Sequence, residues 1–252
     1  MHKKQIINIT RLAFGFVVTA IAAVFIYIIL PDKHKSSSDF PSTISASADN
    51  SSISNDLPPT PTKSYDICID PGHGGNDIGS SNKERLEKDD TLRLSLAVYD
   101  YLVSKNISVC LTRSTDSYLS LEERKNYAEA SNCKLLISIH RNLYENSAKI
   151  NGAECWIHSS NPVNANQLAS SILTELCDED NFPSGTFDNR GVKTGTVTDI
   201  YDDYALNKVS MTSMILEMGF ISSHYDNKVY DNNLDSYARI IGNNIINYIN
   251  SQ

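Results

Sequence analysis

Four side chains with metal-binding or acid–base chemistry stand where apolar segments of the sequence end. His73 lies in "DPGHGG", directly after an apolar run, His140 ends "KLLISIH", and Glu217 lies in "SMILEMG". Glu87, in "LEKDDTL", lies where a helix is predicted to begin. Two histidines and one carboxylate form a common catalytic zinc set that leaves a position open for water. A second carboxylate that does not bind the metal can act as a general base.

Each of these side chains also has an ordinary structural explanation. A histidine at the end of a strand can simply satisfy its hydrogen bonds there, and Glu87 could merely complement a helix dipole. The turn around His73 could bind a phosphate, but it lacks the lysine and the spacing of a P-loop. Glu217 is harder to explain, because a carboxylate within an apolar strand is costly unless it is paired or functional. Residue types and spacing therefore leave a metal site and structural roles both open.

The segments that must position these residues alternate between strand and helix from Ser64 onward. The predicted strands are residues 65–70, 107–112, 134–140, 152–158 and 213–219. The predicted helices include residues 94–102, a segment opened by a Ser120–Glu123 capping box, 164–177 and 234–248. This alternation indicates an α/β fold with three layers, in which helices flank a mainly parallel central sheet. Ligands bind beyond the carboxyl ends of such strands, so the four side chains are expected to converge at one edge of the sheet.

The first part of the chain is typical of a membrane anchor. Residues 12–30 carry no charge and, as a helix, are long enough to cross the roughly 30 Å core of a bilayer. Lys3, Lys4 and Arg11 precede them, so residues 1–11 are expected in the cytoplasm. A cleaved signal peptide is the alternative, but its apolar region would be shorter and followed closely by a cleavage site of small residues. We therefore predict a single-pass transmembrane signal anchor at 12–30, with the rest of the protein outside the cytoplasm.

Composition divides and classifies the remainder of the chain. Residues 31–63 are rich in Ser, Pro, Thr and Asp, which predicts a disordered linker before a folded domain at 64–252. The net charge of -8 argues against nucleic acid as a partner, since phosphate binding requires a basic surface. The five cysteines include no C-x-x-C pair, so a cysteine zinc site is not expected.

Several motifs, in a fixed order, resemble a family of bacterial cell-wall enzymes. They are "IDPGHGGNDIGS", "LEKDDTLRLSLAVYDYL", "VCLTRSTDSYLSLEERKNYA", "LLISIHRN", "NRGVK" and "ILEMGFISS". From about residue 65 to residue 250, the chain resembles the zinc-dependent N-acetylmuramoyl-L-alanine amidases of the amidase 3 group. Any one motif would be weak, but together they are specific and cover nearly the whole predicted domain.

The resemblance implies one zinc ion per chain at the edge of the sheet. By position within the motifs, it implies His73, Glu87 and His140 as the zinc ligands and Glu217 as the catalytic glutamate. The implied reaction is hydrolysis of the amide between the lactyl group of N-acetylmuramic acid and L-alanine. In it, zinc polarises the carbonyl and activates water, and Glu217 moves a proton from that water to the leaving amine.

The same resemblance implies partners and leaves alternatives. Peptidoglycan would be the substrate, and the protein would be a possible autolysin. Its domain would face the cell wall and be held at the membrane by the anchor. Any regulatory protein is unidentified, and residues 143–151 are too few for the inhibitory helix of some members. The alternatives are a wall-binding or regulatory protein without turnover on the same fold, and a zinc peptidase that cuts within the stem peptide.

Other polar residues receive weaker expectations. Arg141 stands where the family commonly has a small residue, so it would either contact an acidic stem peptide or point to solvent. Arg190 in "NRGVK" is either a substrate contact or a structural residue. The residues expected in structural rather than ligand roles are Arg113, Arg124, His158 and His224.

Overall fold

The computed structural model describes residue 61 and residues 63–144 and 150–252. The predicted cytoplasmic segment (1–11) and membrane anchor (12–30) lie outside the described residues, as does the predicted linker (31–63) apart from residues 61 and 63. Within the described ranges, no helix has both the length and the apolarity needed to cross a membrane. The predicted anchor therefore stays a prediction.

Eight strands and four α-helices make up the described domain. The strands are β1 (Ile67–Pro71), β2 (Ser81–Asn82), β3 (Arg85–Leu86), β4 (Val109–Leu111), β5 (Leu135–Asn142), β6 (Ala153–Ile157), β7 (Asn189–Thr194) and β8 (Thr212–Phe220). The helices are α1 (Glu87–Ser104), α2 (Leu121–Ala130), α3 (Val163–Leu176) and α4 (His224–Asn250). Short 3-10 segments occupy Glu179–Asn181 and Ala205–Asn207. The predicted capping box opens α2: Ser120 accepts from the Glu123 N–H, and the Glu123 carboxylate accepts from the Ser120 N–H.

Six of the strands form one sheet in the order β4-β1-β5-β8-β6-β7. All neighbouring pairs are parallel except β6 and β8, which run antiparallel. The predicted α/β fold with a mainly parallel sheet flanked by helices is therefore confirmed. The sequence analysis did not predict the edge strand β7 or the small antiparallel pair of β2 and β3.

One side of the sheet, here called the core face, is covered by three helices. Alternate strand residues such as Ile137 and Leu216 point there and pack against α1, α3 and α4. The strand residues of this cluster include Ile67, Ile69, Leu135, Ile139, Met214 and Met218, all of them buried. Strand side chains alternate in direction, so the intervening residues point to the opposite side.

The opposite side of the sheet, here called the open face, is covered in a different way. A small cluster of Cys68, Cys110, Cys133 and Leu136 packs there against Ala128 of α2 and Leu206 of a 3-10 segment. The buried thiols in this cluster are free. Toward the carboxyl ends of β5 and β8, the open face instead lines a cleft.

Candidate metal centre

The turn that carries His73 is held in place by two buried arginines. Pro71 ends β1, and His73 has a positive φ of 60°, a conformation that is uncommon for a residue with a side chain. Arg124 donates to the carbonyl of His73 at 2.6 Å and to that of Pro71 at 2.7 Å. Arg113 donates to the carbonyls of Pro71 and Gly72. Both arginines therefore brace the fold, as predicted, and the element that they brace is the histidine turn.

Glu87 is the first residue of α1, and its carboxylate is almost completely enclosed. One oxygen accepts from the backbone N–H of Ser80 at 2.7 Å, and the other accepts from that of Arg141 at 2.9 Å. The helix N-terminus favours a negative charge here, as the dipole interpretation predicted. That interpretation is incomplete, because the same carboxylate also meets two imidazole rings.

His73, Glu87 and His140 converge on one point. Oε1 of Glu87 lies 3.2 Å from Nε2 of His73 and 3.0 Å from Nδ1 of His140. The two rings meet edge to face with centroids 4.9 Å apart. A ligand atom from each residue lies within 4.8 Å of the other two, and among the described residues only this His/Cys/Asp/Glu group is so placed. The structure thus brings together the three residues that the sequence analysis selected as ligands.

These distances suit a zinc ion. Nitrogen and carboxylate ligands about 2.0–2.1 Å from a tetrahedral zinc lie roughly 3.3 Å from one another. The observed separations between Oε1 of Glu87 and the two ring nitrogens, 3.2 and 3.0 Å, are close to that value. Close packing leaves the rings little freedom, since a Cβ atom at Gly72 would collide with the His140 ring. The donor set is therefore of the correct chemical type and is positioned in advance.

The charges of the three groups complement one another. Burial opposes ionisation of Glu87, but the His140 and His73 imidazoles outweigh it and hold the pKa of Glu87 well below its usual range. Burial alone would lower the pKa of His140, but the Glu87 carboxylate raises that pKa to about 9. The site therefore favours a carboxylate next to a positive charge, which is also the arrangement that a bound metal ion would create.

Asp77 is a supporting residue that the sequence analysis missed. Its Oδ2 lies 2.9 Å from Nδ1 of His73, and its Oδ1 accepts from the Gly79 N–H at 3.1 Å. A carboxylate on one imidazole nitrogen fixes the tautomer and directs the other nitrogen toward a metal. The sequence held a signal in the acid four residues after the histidine of "HGGND".

Glu217 lies beside the centre but outside it. It pairs in register with His140 on the neighbouring strand, so both side chains point to the open face near the carboxyl ends of their strands. Its Oε2 is buried and has no hydrogen-bond partner among the described residues. Burial raises the pKa of Glu217 to about 7, against the lowering effect of His140. A carboxylate with an unused oxygen and a raised pKa is suited to accepting and returning a proton.

A cleft of about 690 Å³ opens over these residues. Its lining contains His73, Glu87, His140 and Glu217, together with apolar and aromatic side chains that include Leu121, Trp156, Tyr204 and Leu206. Trp156 and Tyr204 meet edge to face, with ring centroids 5.7 Å apart. The sequence analysis did not identify this wall, because its parts come from distant segments.

Glu154 is a second buried carboxylate next to Glu217. The two residues are register partners across the antiparallel β6–β8 pair. Unlike Glu217, Glu154 is fully partnered: it accepts from Asn142 at 2.9 Å, from the Trp156 indole at 3.1 Å and from Arg190 at 2.8 Å. Its role is therefore to hold neighbouring groups in position.

Both predictions for Arg141, contact with a stem peptide and exposure to solvent, were wrong. Arg141 borders the cleft, but its side chain is fully buried, so the guanidinium neither points to solvent nor is available to contact a stem peptide. It donates to Asp90 at 2.5 Å and to Asn227 at 2.7 Å, and its guanidinium lies over the Tyr230 ring. Alternation along β5 explains the difference: His140 points to the open face, so Arg141 points back between α1 and α4.

The remaining histidines lie outside the metal centre. His158 contacts Ser160 and Asp203, and His224 begins α4. Neither belongs to the group that could hold a metal. The prediction of non-ligand roles for these two residues agrees with their places in the fold.

Known proteins resemble this chain over most of the described domain. The sequence profile of the N-acetylmuramoyl-L-alanine amidases matches residues 67–251. The amidase LytC of Bacillus subtilis is 34% identical over 161 residues, which are 64% of this chain and 30% of LytC. A second Bacillus subtilis protein, YqiI, is 33% identical over 191 residues, covering 70% of this chain and 86% of YqiI.

Solved structures give the same result. The N-acetylmuramoyl-L-alanine amidase AmiC2 of Nostoc punctiforme superposes with a TM-score of 0.63 at 29% identity, covering 73% of this chain and 96% of AmiC2. Cwp6 from Clostridium difficile superposes with a TM-score of 0.64 at 30% identity, covering 73% of this chain and 29% of Cwp6. From these matches, which span almost the whole described domain, it follows that the chain belongs to the N-acetylmuramoyl-L-alanine amidase family.

Proposed function

We propose that this protein hydrolyses the amide bond between the lactyl group of N-acetylmuramic acid and L-alanine in peptidoglycan. The observation that carries the proposal is the convergence of His73, Glu87 and His140 beside Glu217, whose buried Oε2 lacks a hydrogen-bond partner within the described part of the chain. Membership of the amidase family supports the choice of substrate and bond. The match to only 30% of LytC means that partners and targeting of that longer relative do not carry over.

We further propose that the metal is zinc, with His73, Glu87 and His140 as its protein ligands. Two imidazoles and one carboxylate form a catalytic zinc set, and their separations fit tetrahedral zinc. When bound, zinc supplies a Lewis acid that polarises the amide carbonyl and lowers the pKa of water. Asp77 accepts a hydrogen bond from Nδ1 of His73 and would so leave Nε2 of that ring free to bind a metal.

Glu217 is proposed as the group that moves the proton. Its carboxylate accepts a proton from the attacking water as the water oxygen bonds to the carbonyl carbon. The same carboxyl then donates that proton to the amide nitrogen as the carbon–nitrogen bond breaks. The products are a glycan with a free lactyl carboxylate and a peptide with a free L-alanine amine.

The location of the enzyme is also a proposal. The uncharged segment 12–30, preceded by Lys3, Lys4 and Arg11, supports a membrane anchor with the domain outside the cytoplasm. As a flexible coil, the linker 31–63 would span roughly 30 Å, which allows the domain to reach the wall. Protease added to intact protoplasts should remove the domain, whereas a processed soluble form as the main species would contradict the anchor.

Digestion of purified sacculi tests the proposed reaction. Mass spectrometry should find intact stem peptides with a free L-alanine amine, and a chelator should abolish their release. Cleavage within the stem would indicate a zinc peptidase instead. Binding to sacculi without any released product would indicate a non-catalytic wall-binding protein.

A further inference from the structure

A bulge in the edge strand β7 places two cations on the open face. Ala153 pairs with Asn189 and Cys155 pairs with Val192. An advance of two residues along β6 therefore matches an advance of three residues along β7. Gly191, at a φ of 79°, supplies the left-handed conformation that such a bulge favours. In a regular strand, side chains three residues apart point to opposite faces. The extra residue therefore brings Arg190 and Lys193 to the same face.

Arg190 is fixed in place while most of its donors stay free. Its Nε donates to the buried carboxylate of Glu154 at 2.8 Å, and its guanidinium carbon lies 4.9 Å from the centre of the Phe220 ring. Among the described residues, its two terminal nitrogens have no hydrogen-bond acceptor. A guanidinium held at one end presents a planar fork that matches a carboxylate.

Lys193 provides a second cation on the same side. It is the register partner of Trp156, whose side chain lines the cleft over the metal centre. No carboxylate among the described residues forms an ion pair with it. Arg190 and Lys193 together line a surface cleft of about 460 Å³, where Asp188 is the one acidic side chain among the lining residues that the structure describes.

The distance from Glu217 suits a peptide that extends from the bond being cut. β7 lies two strands from β8 in the sheet, or roughly 10 Å at the usual strand spacing. An extended peptide covers that distance in about three residues. A carboxylate on the second or third residue beyond the amide would therefore reach the two cations.

We propose that Arg190 and Lys193 form a subsite for a carboxylate of the acidic peptide that leaves when the amide is cleaved. This inference rests on the proposed function, since it takes Glu217 as the site of cleavage. Glu154 links the subsite to that residue, because it pairs with Glu217 in register and holds Arg190 by a hydrogen bond. The subsite would select peptides by charge and orient them across the sheet.

A purely structural explanation makes a different prediction. Arg190 could serve only to neutralise Glu154, and Lys193 could be a solvated lysine that protects the sheet edge from pairing. In that case, the charge of the peptide would not affect its binding. The Lys193→Gln variant separates the two explanations, because it leaves the Arg190–Glu154 ion pair intact.

Calorimetry on the full chain can test the subsite without any bond being cut. The probe is a peptide that begins with L-alanine and has free carboxylates on its second and last residues, compared with the same peptide fully amidated. We expect the acidic peptide to bind about tenfold more tightly, as one charge-assisted hydrogen bond can provide. Lys193→Gln should remove most of this preference. Lys134→Gln, which alters a cation just before the start of β5, should not.

Two results would overturn the subsite. One is equal affinity of the wild type for the acidic and amidated peptides, and the other is an unchanged preference in Lys193→Gln. Cleavage of sacculi is measured separately and reports on the proposed function. A wild type that cleaves sacculi but ignores peptide charge would refute the subsite alone, whereas charge-dependent binding without cleavage would support the subsite and refute the amidase reaction.

Discussion

The two faces of the central sheet are built from alternate residues of the same strands, yet they serve different purposes. On the core face, Ile139 and Leu216 are buried against helices in a continuous apolar cluster. On the open face, the adjacent residues His140 and Glu217 line a cleft. One face thus supplies the rigidity, while the other uses that rigidity to hold polar groups within hydrogen-bonding distance.

The difference shows how a stable sheet can tolerate costly groups. Glu217 keeps a buried oxygen with no hydrogen-bond partner in the part of the chain that the structure describes, which would be destabilising in isolation. Its neighbours Leu216 and Met218 point to the core face and are fully buried. The core-face side chains therefore hold the strand in place, and the open-face side chain of Glu217 can serve function instead of stability. Substitutions on the two faces should have separable effects.

Removing a ligand on the open face should have the largest effect on activity. His73→Ala, Glu87→Ala and His140→Ala each delete one of only three proposed protein ligands, so zinc content should fall and sacculus hydrolysis should become undetectable. Metal analysis and product release measure the two effects. His158→Ala is the matched control, because His158 lies outside the centre. Full zinc occupancy in His140→Ala would refute its role as a ligand.

Asp70 is the open-face residue whose loss should most affect stability. It is fully buried and accepts from Arg124 at 2.8 Å and Ser138 at 2.6 Å. Asp70→Asn would leave the Arg124 charge without its partner, which should lower the free energy of unfolding by about 3–5 kcal/mol at pH 7. Denaturant titration of both proteins measures the difference.

The ion pair between Asp70 and Arg124 should also make the free energy of unfolding depend on pH. Burial opposes ionisation of Asp70, but Arg124, Ser138 and Thr112 together lower its pKa in the folded protein. The stability that it contributes is therefore complete above its unfolded pKa of about 3.9 and is lost as pH falls through the lower folded pKa. The difference in unfolding free energy between wild type and Asp70→Asn should shrink in that range. A constant difference down to strong acid would contradict this assignment.

On the core face, Leu216→Ala should act on stability alone. Leu216 is fully buried, and leaving a cavity there should cost about 2–5 kcal/mol. Zinc content and turnover of the protein that remains folded should stay close to those of the wild type. A loss of zinc from the folded fraction would show that the two faces are coupled.

The smallest effect is expected at the start of α2, the helix that covers the open face. Ser120 caps this helix by accepting from the Glu123 N–H at 3.3 Å. Ser120→Ala should lower the free energy of unfolding by about 1 kcal/mol, with unchanged zinc content. A change larger than that of Leu216→Ala would mean that α2 stabilises the open face more than its small apolar cluster indicates.

Sequence patterns predicted the parts of this architecture that depend on local periodicity. The strands that carry His140 and Glu217 toward their carboxyl ends, and the capping box at Ser120, follow from apolar runs and residue spacing, although β5 continues two residues beyond the predicted end at His140. The convergence of His73, Glu87 and His140 followed from the rule that parallel strands share a carboxyl edge. These features are encoded within short segments or by one topological rule.

Apart from Asp77, which lies only four residues from its partner His73, the features that were missed depend on contacts between distant segments. Arg141 was predicted outside the core because no local pattern reveals Asp90 and Asn227 as its partners. The antiparallel direction of β6 and the bulge at Gly191 are set by how the chain returns to the sheet. Without knowledge of that strand direction and that bulge, the positions of Glu154 and Arg190 beside Glu217 could not be predicted.

The Glu217→Gln variant tests most directly whether metal binding and proton transfer belong to different residues of the open face. Glutamine keeps the shape of the side chain but cannot accept the proton of the attacking water. Metal analysis and sacculus hydrolysis should be measured on the same purified sample. If Glu217 moves the proton without binding the metal, we expect zinc near one per chain and a loss of turnover of about 10²–10⁴-fold. Loss of zinc would make Glu217 a ligand, and turnover near that of the wild type would show that another group is the base.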